Sequence, residues 1–258
     1  MKRRSTSTKG RLTRIAVASL LVGKCCWAAS TPKPAGFYPP AWGGGYQLLS
    51  SNNGYGEPLN IIISGLSSPK VLTDKGILNW ARSVGFSYEC AKQHGGGYFA
   101  ANLGDGNEWK NQTAEFREMY GHAHVGTCLE TFIGGNHFRW SVDDLDLDLC
   151  RVFRQDGPEA NTGALFLAAS KEEDLKDHHT VSPDGYDQGR DEIVEKAIAK
   201  PTKFDGTTYV TTSRNLKGLL PEGTQNINHG IAIDGVVKLL TIKITEEGGD
   251  DSDDDDDD

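Results

Sequence analysis

The apolar positions of this chain follow two kinds of pattern. The first is the unbroken run: Ile61-Ile62-Ile63 behind Leu59-Asn60, and Ala164-Leu165-Phe166-Leu167-Ala168-Ala169. Short runs without polar breaks predict strands buried on both faces. The second is helical period. Leu72, Leu78, Ala81 and Val84 share a face, which predicts a helix from Ser68-Pro69 to about Ser83, with Gly85 as its stop. Ile193, Val194, Ala197 and Ile198 mark a second helix, which closes the stretch 163–200.

Weaker patterns fill the gaps. Tyr46–Leu49, Thr127–Ile133, Asn136–Trp140, Arg151–Arg154 and Thr208–Thr212 read as strands. Asp143–Leu149 alternates strictly, aspartates on one face and leucines on the other, as an edge strand does. Phe116 and Met119 are three apart, so Thr113–Tyr120 reads as a short helical piece. Asp234-Gly235 inside Gly230–Ile244 is a hairpin signal. The sum is an α/β fold in a single domain, a mixed β-sheet with a few packed helices.

The two ends depart from this picture. Met1–Arg14 is basic, Ile15–Gly23 is apolar, and small residues follow at Ala28-Ala29-Ser30, so 1–29 reads as a secretory signal peptide. Nine apolar residues are too few to span a bilayer, which takes roughly 20, and no later run is longer. Pro32, Pro34, Pro39, Pro40 and Gly43-Gly44-Gly45 make 30–57 a Pro/Gly-rich N-terminal arm, leaving 58–246 as the folded domain. Residues 247–258 are an acidic tail expected to be disordered, with eight aspartates from Asp250 to Asp258.

Charge then sharpens the class. The formal net charge is −9, but the first 29 residues hold seven of the 27 Lys and Arg and no acid. Without them, 20 basic residues face 36 acidic ones, a net of −16. A chain this acidic does not suit nucleic acid, which calls for a basic patch. The expectation is a secreted, extracellular protein without a transmembrane segment, whose partner is at the cell surface or belongs to a host.

Candidate chemistry is sparse. Signal cleavage would remove Cys25 and Cys26 and leave Cys90, Cys128 and Cys150. Cys128 and Cys150 both lie in predicted strand territory and are the expected disulfide pair. There is no CxxC, and His122-Ala123-His124 has no evident third ligand, so neither a metal site nor a cofactor is expected. Asn111-Gln112-Thr113 is a glycosylation sequon. The polar residues His137, Arg139, His178, His179, Asp187, Arg190 and Asp191 sit between predicted core elements. Three readings fit them. One is a buried ion-pair network fixing a strand-to-helix corner. Another is an anionic site, with Arg139 and one histidine holding phosphate or carboxylate and the second histidine as general acid or base. The third is a metal site of two histidines with Asp187. No nucleophile elbow is present.

Asn136-His137-Phe138-Arg139-Trp140, then Gly163–Ala168, then His178-His179 with Pro183-Asp184, Tyr186-Asp187 and Arg190-Asp191, resemble the C-terminal domain of LssY-type proteins. Pro58–Ile63 resembles the start of that domain. The likeness is closer to small secreted fungal proteins of unknown function, and it covers roughly Pro58–Ala199. The acidic-leucine block before Arg151 looks like an insertion. The resemblance implies no established activity, so a non-catalytic binding role is the leading expectation and a small hydrolase or anion-binding enzyme the alternative.

Overall fold

The computed structural model describes residues 36–50, 55–88, 90, 99–112, 114–123, 125–140 and 153–248. The stretch 1–29 expected to be a signal peptide, the acidic stretch beyond Gly248, the Asp143–Leu149 block, His124 and Cys150 lie outside them. The elements in chain order are β1 (Leu48–Ser50), β2 (Gly56–Pro58), β3 (Ile61–Ile63), α1 (Asp74–Ser83), β4 (Phe86–Tyr88), β5 (Ala100–Ala101), β6 (Lys110–Asn111), β7 (Ala114–Glu118), α2 (Val125–Ile133), β8 (Gly135–Trp140), β9 (Phe153–Asp156), β10 (Asn161–Glu172), α3 (Gly185–Ile198), β11 (Thr202–Phe204), β12 (Thr207–Leu216) and β13 (Val237–Glu246).

These strands form two sheets. The smaller runs β2-β1-β5-β6, so the stretch read as an arm supplies two of its strands. The larger runs β11-β12-β13-β3-β10-β8-β7-β4, with β9 also pairing β10. β13 and β3 are parallel while β10 is antiparallel to β3 and β8, so the sheet is mixed and the fold is α/β. The described residues belong to one unit, Pro32–Asp258. No helix among them is long and apolar enough to cross a membrane.

Both apolar runs are strands buried on both faces. Ile61, Ile63, Leu165, Leu167 and Ala169 pack with Trp80 of α1 and Ile193 of α3. Ile62, Ala164, Phe166 and Ala168 pack on the other side, with Leu49 and Ala101 of the smaller sheet. Period two therefore splits each run between two core layers. Asn60 locks the corner: its Nδ2 donates to the carbonyls of Ala169 and Tyr186 at 2.9 and 3.0 Å, and its Oδ1 accepts from Ala169 N–H at 3.0 Å. Helix α3 lies directly on β10, because a Cβ on Gly189 would stand 2.3 Å from the Ser170 carbonyl carbon.

Several sequence expectations change. α1 starts at Asp74, where Thr73 Oγ1 accepts from Gly76 N–H at 3.0 Å. The hydroxyls of Ser67 and Ser68 accept instead from Ile242 and Ile244 N–H, tying the loop to β13. Thr113–Tyr120 is read as helical, but Ala114–Glu118 is strand: Phe116 enters the core while Glu115 and Arg117 turn the other way. Thr127–Ile133 is read as a strand, but it is α2 with inverted polarity. Gly126, Thr127 and Glu130 are its buried residues, whereas Val125, Leu129, Phe132 and Ile133 are exposed.

The disulfide also differs from the expected Cys128–Cys150 pair. Cys128 lies on α2, and it bridges Cys90 with Cα atoms 4.9 Å apart, joining the chain beyond β4 to that helix. Asp234-Gly235 makes no hairpin. Val237–Glu246 pairs with β12 and β3, and Ile233 bridges Gly223 instead.

Candidate functional site

The larger sheet carries opposite chemistry on its two faces. Register aligns Arg117, His137 and Ser170 across β7, β8 and β10, and Glu115, Arg139 and Ala168 in the next row. Phe116 and Phe138 alternate with them and stack in the core at 5.1 Å. The polar rows therefore share the opposite face. Glu130 of α2, Glu57 of β2, His179 and Tyr186 close over them.

Arg117 is the hub. Its Nη2 is 2.8 Å from Glu115 Oε1. Its Nη1 is 2.6 Å from Glu130 Oε2, 3.0 Å from Glu172 Oε2 and 3.2 Å from His179 Nε2. Arg139 pairs with Glu57 Oε2 at 2.7 Å and Glu115 Oε2 at 3.3 Å, and lies over the Phe99 ring at 4.6 Å. His137 Nε2 is 2.9 Å from Ser170 Oγ, and its Nδ1 is 3.5 Å from Glu172 Oε2. His179 Nε2 reaches the same Glu172 oxygen at 3.2 Å.

Electrostatics inside this enclosure is steep, because burial weakens solvent screening. Burial on its own would raise the Glu115 carboxyl, but Arg139, His137, Arg117 and His179 outweigh it and hold it at about 2. Burial opposes ionisation of Glu130 too, and His179 and Arg117 win, so its carboxyl is lowered. The His179 imidazole is raised by its hydrogen bond to Glu130, against burial, with Glu172 adding to the rise. Burial and then Glu57 push the Tyr186 hydroxyl up, so it stays protonated. Hydrogen bonding is nonetheless incomplete. Among the described residues, Glu57 Oε1, Glu130 Oε1, His137 Nδ1 and the Tyr186 hydroxyl are buried without a hydrogen-bond partner, while Glu57 Oε2 and Glu115 Oε1 meet guanidinium nitrogens at 2.7 and 2.8 Å only as ion pairs.

The other predicted site residues go elsewhere. Arg190 of α3 is almost fully buried, and Nε, Nη1 and Nη2 all donate: to Asp187, Asp191, Asp234 and the Val236 carbonyl, at 2.6–3.0 Å. Lys238 adds a contact to Asp191 at 3.1 Å. This ion-pair network holds three of the seven residues and pins α3 to the segment before β13. Asp187, Arg190 and Asp191 therefore do not join His137 and Arg139.

The twin histidines also divide. Both adopt left-handed backbone, φ 64° at His178 and 51° at His179, after a short 3-10 turn at Leu175–Asp177. That double reversal turns His179 inward, while His178 is exposed and makes no ion pair among the described residues. Asn111 of the sequon is exposed on β6.

Sequence reasoning missed Glu57, Glu115, Arg117, Glu130, Glu172 and Tyr186. One signal was available: Glu-Phe-Arg, His-Phe-Arg and Ser-Lys-Glu each place two polar residues two apart. Among cation-binding arrangements, two sets of ligand atoms lie within 4.8 Å of one another: Glu115, His137 and Glu172, and Glu130, Glu172 and His179. Comparison with family models, curated proteins and solved structures gives no match.

Proposed function

We propose that this chain is an exported protein that acts outside the cell by binding a cell-surface or host partner. One observation carries the choice of binding over catalysis: the charged chemistry faces inward, and aromatic surface faces outward. His137 and Glu130 are fully buried and Glu115 nearly so. Outside, Tyr46 stacks on Trp109 with ring centroids 6.0 Å apart, and both are about half exposed, as is Tyr55, while Trp42 is more so. Exposed aromatic groups of this kind favour recognition surfaces. The N-terminal signal supports export, and the Cys90–Cys128 bridge supports an oxidising compartment. Descent from the LssY C-terminal type, and glycosylation at Asn111, belong to the same proposal.

Labelled mature protein offered to intact cells of the source and of candidate hosts tests it. Saturable binding that falls in Tyr46→Ala and Trp109→Ala is the expected result. Binding to no surface, or binding indifferent to both changes, overturns it.

A second reading, a small hydrolase, is favoured by the meeting of His137, Arg139 and His179 around Glu115 and Glu172. It requires turnover on a phosphoester panel that disappears in His179→Ala and persists in His178→Ala.

A further inference from the structure

The buried cluster is short of positive charge and of hydrogen bonds in the same place. Four carboxyl groups, Glu57, Glu115, Glu130 and Glu172, share two guanidiniums, Arg117 and Arg139. Uncompensated charge in an interior is costly.

The geometry at His137 is more specific. When Nε2–H donates to Ser170 Oγ at 2.9 Å, the buried Nδ1 carries a lone pair. That lone pair has no hydrogen-bond partner, and a Glu172 carboxylate oxygen lies 3.5 Å away. Two electron-rich atoms held this way call for a cation between them. Glu115 completes the set: one ligand atom each from Glu115, His137 and Glu172 lie within 4.8 Å of one another, and Glu115 Oε1 stands 3.8 Å from the ring's Nε2. A ligating imidazole whose other nitrogen is fixed by a hydroxyl is a recurring metal-site arrangement.

We propose that Glu115, His137 and Glu172 bind one divalent first-row transition-metal ion. Their three backbones belong to neighbouring strands β7, β8 and β10, so the ligands start on a rigid frame. Ser170 is a positioning residue that sets the imidazole tautomer. Arg117 already touches both carboxylates, and the ion shares them with it, since a carboxylate has about four acceptor sites. In the neighbouring set, Arg117 Nη1 stands between Glu130, Glu172 and His179, so the strand set is the site. One imidazole among carboxylates selects zinc, manganese or cobalt over calcium and magnesium, which take oxygen ligands. The way in is beside Glu172, at a cleft of about 350 Å³ where Glu118, Glu172, Glu173, Asp174 and Glu192 outnumber Lys171 and Lys196. That acidic rim draws cations. The inference is independent of the binding reading above.

The test uses the full mature chain, stripped with chelator and titrated with Zn²⁺, Mn²⁺ or Co²⁺, with Ca²⁺ and Mg²⁺ as controls. The expected result is one equivalent of transition metal bound, a rise in Tm, and a visible Co²⁺ spectrum. Glu172→Gln and His137→Gln should abolish all three. Ser170→Ala keeps every ligand and should weaken affinity by about tenfold, as loss of an outer-shell partner does. His178→Ala should change nothing. Should the ligand variants fail to fold, the Co²⁺ spectrum of the unaltered chain still decides: nitrogen ligation is expected, and no spectrum overturns the proposal. Equal binding of Ca²⁺, or unchanged affinity in Ser170→Ala together with a folded, metal-binding His137→Gln, also overturns it.

Discussion

Two charged clusters flank the packing of α3 on β10, and they are built on opposite terms. At the Arg190 cluster a nearly buried guanidinium donates to three carboxylates, two of which stay about half open to water. Among the described residues no buried polar atom of that cluster lacks a hydrogen bond, and the cluster works as a clamp. At the β7–β8–β10 cluster the charges are equally dense but enclosed, and several polar atoms lack hydrogen bonds. A saturated network has no capacity for a ligand, whereas an under-satisfied one retains it. Charge density alone does not separate structural clusters from binding sites; the tally of unanswered donors and acceptors does.

The sharpest break of the comparison is Arg190→Ala. Removing the guanidinium strands Asp187 and Asp234, leaves Asp191 only Lys238, and should cost about 4 kcal/mol, as loss of one partner of a buried pair does. Denaturant unfolding should give the same loss with and without chelator, because the clamp has no part in metal binding. A chelator-dependent loss would merge the two clusters.

Acid should next distinguish them in the metal-stripped protein. The Glu115 carboxyl is held at about 2, below its ordinary value of 4.5, so its contribution is present above about pH 4.5 and is lost as pH falls toward 2. The contribution is on the order of 3 kcal/mol. Glu115→Gln should flatten that limb of the Tm–pH curve, and an unchanged limb would place the acid sensitivity elsewhere.

Asn60→Ala removes the hydrogen bonds that fix β10 and the start of α3 between the clusters. A loss of about 2 kcal/mol is expected from three bonds at about 1 kcal/mol each, partly replaced by water. The smallest effect belongs to His178→Ala. An exposed side chain outside both clusters should shift stability by less than about 0.5 kcal/mol, while His179→Ala, which opens the Arg117 hub, shifts it measurably.

The sequence made the frame legible and hid most of the site. Ile61-Ile62-Ile63 and Ala164–Ala169 announce buried strands because an unbroken apolar run has few other homes. Ile193, Val194 and Ala197 announce α3 in the same way. His137 and Arg139 were correctly placed on one strand face, since period two is local. Glu115 and Arg117 were not, because Phe116 and Met119 imitate helical spacing. Glu130 was hidden by the inverted polarity of α2, whose buried side is the polar one. Glu57 lay in a stretch read as an arm and Glu172 in one read as a charged turn. The site is gathered from β2, β7, α2, β8, β10, the turn after β10 and α3, by strand register and by helix and turn packing together.

The most direct measurement is anomalous diffraction from crystals of the full chain grown with Zn²⁺. A single anomalous peak within coordinating distance of His137 Nδ1, Glu115 and Glu172 is the expected result. Its absence from that cluster at full Zn²⁺ saturation, with His137 Nδ1 protonated and bonded to Glu172 instead, would contradict the assignment.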